Sequence, residues 1–151
     1  MLLYIIGFSG AGKSTLAQSL AQEWSIPALD TDLLFCQKHQ TDIAEYVKQQ
    51  GWQAFRQQET EILLGTRDFA PGFPSSYPGY RAIVACGGGI VEAPENRDFL
   101  LARRVLWLAP PWQTLFERIS KQSSAFAAGK SEAELYQAYL RRLPLYRECL
   151  R

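Results

Sequence analysis

Residues Gly7–Thr15 read GFSGAGKST and fit the spacing G-x-x-x-x-G-K-[ST]. Directly before them stands a short apolar run, Leu2–Ile6 (LLYII). Directly after, over Lys13–Trp24, Leu16, Leu20 and Trp24 recur four apart, as on an amphipathic helix. A strand that runs into a glycine loop, which in turn opens a helix, leaves few folds available. Glycines let the backbone curl so that its N–H groups point inward, and the helix N-terminus adds a positive field; the concavity suits phosphate oxygens. Gly10, Ala11, Gly12, Lys13, Ser14 and Thr15 are therefore the expected ATP-binding residues. Lys13 neutralises the β- and γ-phosphates, which makes it a catalytic candidate, and the Ser14 hydroxyl is a ligand for Mg²⁺.

The rest of the chain keeps the alternation. Pro27–Asp30 (PALD), Ala82–Cys86 (AIVAC) and Val105–Leu108 (VLWL) read as strands. Asp42 and Glu45 have capping spacing, so a helix starts near Ile43; Gly51 ends it and another runs through Trp52–Leu64. Further helices are expected over Pro94–Arg103, over Pro111–Ser120, and from the Ser131/Glu134 capping box toward Arg147, with Pro144 kinking or interrupting the last. Uniformly apolar strands alternating with helices imply an α/β fold of three layers, α/β/α, in which a parallel four-stranded sheet has helices on both faces. Residues 1–151 fit a single domain. Gly65–Tyr80, with Pro71, Pro74 and Pro78, reads as a long mobile loop, and Lys121–Lys130 as a mobile lid.

Composition removes other classes. The chain has 16 Lys+Arg against 15 Asp+Glu, a net charge of +1, so nothing marks it for nucleic acid or an anionic membrane; any affinity for anions must come from a local arrangement. Cys36, Cys86 and Cys149 form no C-x-x-C pair and are odd in number, which argues against a disulfide framework or zinc and for a reducing cytoplasm. The single histidine, His39, reads as a polar loop residue. The N-terminus lacks a basic region and is interrupted by Gly7, so it reads as neither signal peptide nor membrane span.

The strand Ala82–Cys86 ends in Gly87-Gly88-Gly89 without a carboxylate, whereas PALD is continued by Asp30-Thr31-Asp32. The carboxyl ends of strands in such a sheet share one crevice, so both aspartates face the glycine loop. One is suited to hold magnesium, the other to orient or deprotonate an acceptor hydroxyl. The plainer alternative is that an aspartate only caps the next helix. Arg56 and Glu59, three apart on a helix, could grip a substrate carboxylate, or be a surface pair. Gly87–Gly89 would let backbone approach a ligand, or simply turn. Arg142, ahead of Pro144, would ordinarily be solvated.

Taken together and in this order, GFSGAGKST, DTD at Asp30–Asp32, FRQQE at Phe55–Glu59, GGG at Gly87–Gly89 and RLPLY at Arg142–Tyr146 resemble the shikimate kinase family from Leu2 to about Cys149. The resemblance implies a P-loop kinase fold with family strand order 2-3-1-4-5 and transfer of the ATP γ-phosphate to the 3-hydroxyl of shikimate, in chorismate and aromatic amino-acid biosynthesis. It assigns acceptor binding and proton removal to Asp32, the shikimate carboxylate to Arg56 and Arg142, a backbone contact to the Gly87–Gly89 turn at Gly88, and the phosphates and Mg²⁺ to Lys13, Ser14 and Asp30. Three features depart from the family. Lys121–Lys130 has no arginine, the loop Gly65–Tyr80 is longer, and the sequence stops at Arg151, where the family continues into a fifth strand. Val105–Leu108 is then expected to form an open edge; a monomer is expected, with pairing through that edge as the alternative. Two other readings remain at this stage: a small P-loop kinase for another hydroxylated acid or a nucleotide, and a non-catalytic relative that binds ligand.

Overall fold

The apolar runs become strands of one parallel sheet. In the computed structural model, which describes residues 1–72, 77 and 79–151, these are β1 (Leu2–Gly7), β2 (Ala28–Asp30), β3 (Ala82–Ala85) and β4 (Arg104–Leu108). Their order is β2-β3-β1-β4, with every pairing parallel. This is the expected α/β architecture, and the order matches the expected one through its first four strands. β4 starts one residue early, at Arg104, and lies at the edge among the described strands.

Side chains alternate across a strand, and β1 divides the core accordingly. Tyr4 and Ile6, with Phe8 beyond the strand, pack on one side with Leu63, Leu100, Leu115, Leu135 and Tyr146. Ile5 packs on the other side with Ile83 and Ala85, against Ala17, Ala21 and Ile26. Helix α1 (Lys13–Trp24) thus covers one face. Helices α3 (Ile43–Gly65), α4 (Pro94–Leu101), α5 (Trp112–Lys121) and α6 (Glu132–Glu148) contribute to the other.

Local chemistry sets the helix ends. Asp42 Oδ1 accepts the Glu45 N–H at 2.8 Å and starts α3. The Ser131/Glu134 box closes in both directions, at 3.3 and 2.6 Å, and starts α6; caps of this kind contribute about 1 kcal/mol. Gly51, at φ 86°, breaks α3 where the sequence places the end of one helix and the start of the next.

Three expectations change. The stretch after PALD forms a helix, α2 (Thr31–His39), which the weakly periodic LLFCQKH did not announce. His39 closes that helix rather than sitting in a loop: its ring packs on Phe35 and Tyr46, and Nε2 meets Gln58 Oε1 at 3.0 Å. Pro144 does not interrupt α6, which runs through it to Glu148. The carbonyl that a proline leaves without a partner is that of Leu140, an exposed residue, while Arg142 and Tyr146 anchor the buried side. Of the loop Gly65–Tyr80, residues Thr66–Asp68 form one 3₁₀ turn; 73–76 and 78 lie outside the described residues.

This arrangement brings three segments to the carboxyl edge of the sheet: Phe8–Gly12 after β1, Asp30–Asp32 at the end of β2, and Gly87–Gly89 after β3. The chain leaves β1 toward β2 and leaves β3 toward β4, so the winding reverses here. Open α/β sheets place their ligands at such a reversal.

Candidate active site

The glycine loop wraps one side of the crevice. Gly12 caps α1 in the left-handed region, at φ 91°, and no side chain caps the helix. A cavity of about 910 Å³ lies over this loop and the first turn of α1, and Asp30, Asp32, Gly88 and Arg118 also line it. Lys13 Nζ donates to the Phe8 carbonyl at 2.9 Å. Burial lowers the pKa of this ammonium, with Asp32 and Asp30 acting in the opposite direction.

Asp30 caps the next helix, the plainer of the alternatives that the sequence left open, and also holds Ser14. Its Oδ1 accepts the Asp32 and Leu33 N–H groups at 2.9 and 3.2 Å, capping α2, while Oδ2 accepts the Ser14 hydroxyl at 2.5 Å. These two hard oxygens at the mouth of the phosphate loop are of the kind that could hold Mg²⁺. Among the described residues no cluster of three or more His, Cys, Asp or Glu forms a metal cage.

Asp32, half-buried in the first turn of α2, lies between two fields. Burial raises its pKa, and Asp30 and Glu59 raise it further; Lys13 and Arg56 oppose them, and the carboxyl rests at about 6. That is a usable value for a base that must be ionised near neutrality yet still attract a proton.

Beside Asp32 opens a second cavity, of about 530 Å³, reached by Arg56, Glu59, Gly89, Arg142, Trp52 and Phe126. Arg56 Nη1 donates to Glu59 Oε2 at 2.6 Å, and its guanidinium lies 5.3 Å from each of the Trp52 and Phe55 rings. Glu59 is 3 % exposed, so this is no surface pair; burial pushes its carboxyl up while Arg56 holds it down. A side chain on Gly89 would fall on the Arg56 guanidinium, which explains the bare backbone there.

Arg142 is buried, contrary to its ordinary solvated reading. Its Nε donates to Glu92 Oε1 at 2.6 Å and its Nη1 to the Gly88 carbonyl at 3.4 Å. The guanidinium lies 4.3 Å from the Phe126 ring and 5.5 Å from that of Phe8. Tyr146 also donates to the Gly88 carbonyl, at 2.6 Å, which ties the RLPLY segment to the glycine triplet. Burial raises the Glu92 carboxyl, but Arg142, with Arg56 and Arg141, outweighs it and holds the group below its ordinary value. Arg56 and Arg142 share a recess of about 230 Å³, so two cations from distant segments converge. The larger cavities have Ser9, Asp32, Gly88 and Ser124 in common, and Asp32 therefore stands where a group would pass from one to the other.

Every residue singled out in the sequence comes to this crevice. Others do so unannounced. Arg118 of α5 donates to the Gly10 carbonyl at 3.0 Å, so a guanidinium reaches the phosphate cavity although Lys121–Lys130 has none. Its sign in the sequence is its place three residues before that lid. Glu92 follows the glycine triplet by three residues and carries no motif of its own. The sequence places Trp52 only on a helix, and Phe126 only in the mobile segment Lys121–Lys130.

A family model described as shikimate kinase matches residues 9–151. A shikimate kinase of Enterococcus faecalis is 33 % identical over 151 residues, a match that covers 97 % of this chain and 83 % of the relative. A shikimate kinase 2 of Photorhabdus laumondii is 34 % identical over 154 residues, covering 98 % and 82 %. The structure of the Acinetobacter baumannii shikimate kinase in complex with shikimate superposes with a TM-score of 0.82 at 28 % identity, covering 99 % of this chain and 79 % of that one. With phosphate loop, paired aspartates and converging arginines all in one crevice, and with that family matched over nearly the whole length, the chain belongs to the shikimate kinase family.

Proposed function

We infer that this protein transfers the γ-phosphoryl group of ATP to the 3-hydroxyl of shikimate, as a cytoplasmic monomer acting on small molecules. The observation that carries the reading is that Asp32 lines both cavities, one over the phosphate loop and one beside two arginines.

ATP would enter with its phosphates over Gly10–Thr15, where the N–H groups that open α1 and the Lys13 ammonium meet their charge. Ser14 and Asp30 would hold Mg²⁺, which supplies charge neutralisation between the phosphates when bound. Arg118 adds a further cation beside Gly10. The acceptor's carboxylate would lie between Arg56 and Arg142, each pre-set by its own glutamate, Glu59 and Glu92. A planar guanidinium fork matches a carboxylate in two bonds, and a fork already fixed loses little freedom on binding. With the carboxylate anchored and the Gly87–Gly89 backbone alongside, the hydroxyl is directed toward Asp32. With its pKa raised to about 6, Asp32 can accept the hydroxyl proton near neutrality as the phosphoryl group moves.

The test is ADP release coupled to an indicator, with shikimate, gluconate and a nucleoside monophosphate compared as acceptors. ADP release that needs shikimate, and not the other two, is the expected result. Equal or greater release with gluconate or the monophosphate would replace this acceptor assignment.

A further inference from the structure

At the opposite end of the sheet, where the strands begin, a cavity of about 400 Å³ is lined by Arg67, Arg81, Arg103, Arg104 and Arg151 around Leu2 and Tyr4 of β1. The chain carries only 16 Lys and Arg in all and is nearly neutral, so five arginines lining one hollow are a strong local concentration. They come from four separate parts of the chain: the 3₁₀ turn after α3, the approach to β3, the entry to β4, and the segment beyond α6.

Among the described residues, little answers this charge. Arg67 meets Asp68 at 3.4 Å, but both side chains are well exposed, 63 % and 80 %; such a pair contributes little. Arg103 and Arg151 donate to the carbonyls of Phe99 and Leu101 near the end of α4, which fixes their position, and neither has an ion pair among the described residues. Arg81 and Arg104 are exposed and have no ion pair among the described residues. Like charges gathered on a concave surface repel one another until an anion joins them, and the concavity focuses their field.

We propose that this cavity is a second anion site, distinct from the phosphate loop, for a small molecule bearing two or more phosphate groups. Guanidinium forks bind phosphate oxygens in pairs, and one phosphate engages about two forks; five therefore call for more than one. The volume suits one small ligand rather than a chain. The site sits at the start of β1, whose other end becomes the phosphate loop, so a single strand joins the two anion sites.

The probe is inorganic tripolyphosphate, titrated calorimetrically at about 150 mM salt into the native protein, into Lys13→Ala, and into a triple variant Arg67→Ala/Arg81→Ala/Arg104→Ala. The triple variant spares Arg103, which packs on Phe99. Two sites are expected in the native protein. Lys13→Ala should keep one of them, and the triple variant should lose that same one by tenfold or more per guanidinium removed. Its kinase turnover at saturating substrates should equal the native value, which shows that it folds and keeps this proposal separate from the kinase reading. A single site abolished by Lys13→Ala would overturn the proposal, as would unchanged binding to the triple variant. A 20-nucleotide single strand that displaces tripolyphosphate and binds more tightly at that salt would make this a nucleic-acid surface and equally overturn it.

Discussion

Asp32→Asn should weaken the enzyme and strengthen the fold, and pH should separate the two effects. Asparagine keeps the shape of the side chain and imitates its neutral form at every pH. If Asp32 removes the acceptor proton, kcat should fall on the order of 10²–10⁴-fold, with the affinity for ATP almost unchanged. Stability moves the other way. In the unfolded chain the carboxyl has its ordinary value of 3.8; in the folded chain burial, Asp30 and Glu59 push it to about 6. Between these values the unfolded state holds fewer protons, so native stability falls as pH rises through the window. Below about pH 4 both states are protonated, and the native protein and the Asp32→Asn variant should be equally stable. Above pH 6 the native protein carries the full burden of the buried charge, an upper bound of about 3 kcal/mol. For a chain of this size that is a rise in melting temperature of up to about 6–12 °C for the variant at pH 8. Thermal melts at pH 4 and pH 8, beside coupled kinetics, measure both effects. A variant less stable than native at pH 8, or equally stabilised at both pH values, would refute the electrostatic account of Asp32.

Other perturbations address the neighbouring parts. Lys13→Ala should lower turnover about a hundredfold or more, since a preorganised charge on the phosphoryl group is worth about 3–4 kcal/mol; turnover equal to the native would remove Lys13 from the mechanism. Arg56→Ala or Arg142→Ala should weaken shikimate binding by about 1.5–3 kcal/mol, and shikimate methyl ester, already weak on the native protein, should lose little more on either variant. Ester and acid that bind the native enzyme equally would deny the carboxylate grip. Gly87→Ala would set a methyl 2.7 Å from Asp32 Oδ1 and 2.8 Å from Glu59 Oε1, so kcat should fall even though no charge is altered; a native kcat would mean that this contact relaxes freely.

The outline of the fold was legible because its signals are local. Apolar runs of strand length, a glycine loop before an amphipathic helix, and the capping pairs at Asp42 and Ser131 each act within a few residues. What stayed hidden depends on residues distant in sequence. Helix α2 has little amphipathic pattern and is started by Asp30, whose side chain also holds Ser14. Pro144 is tolerated because Leu140 faces water, which no local rule anticipates. The candidate site divides similarly. Lys13, Ser14, Asp30, Asp32, Arg56, the glycine triplet and Arg142 belong to dense motifs. Glu92, Arg118 and Phe126 gain significance only from what they touch: Arg142 from 50 residues away, Gly10 from 108, and the Arg142 guanidinium across the crevice.

Phosphorus NMR of the protein mixed with ATP, Mg²⁺ and shikimate tests the central claim most directly, because it follows the phosphoryl group itself. The account predicts a new phosphomonoester resonance that grows in step with ADP, and that grows on the order of 10²–10⁴-fold more slowly when Asp32 is replaced by Asn. ADP accompanied by free inorganic phosphate, with no phosphomonoester, would mean that the crevice delivers the phosphoryl group to water, and would contradict it.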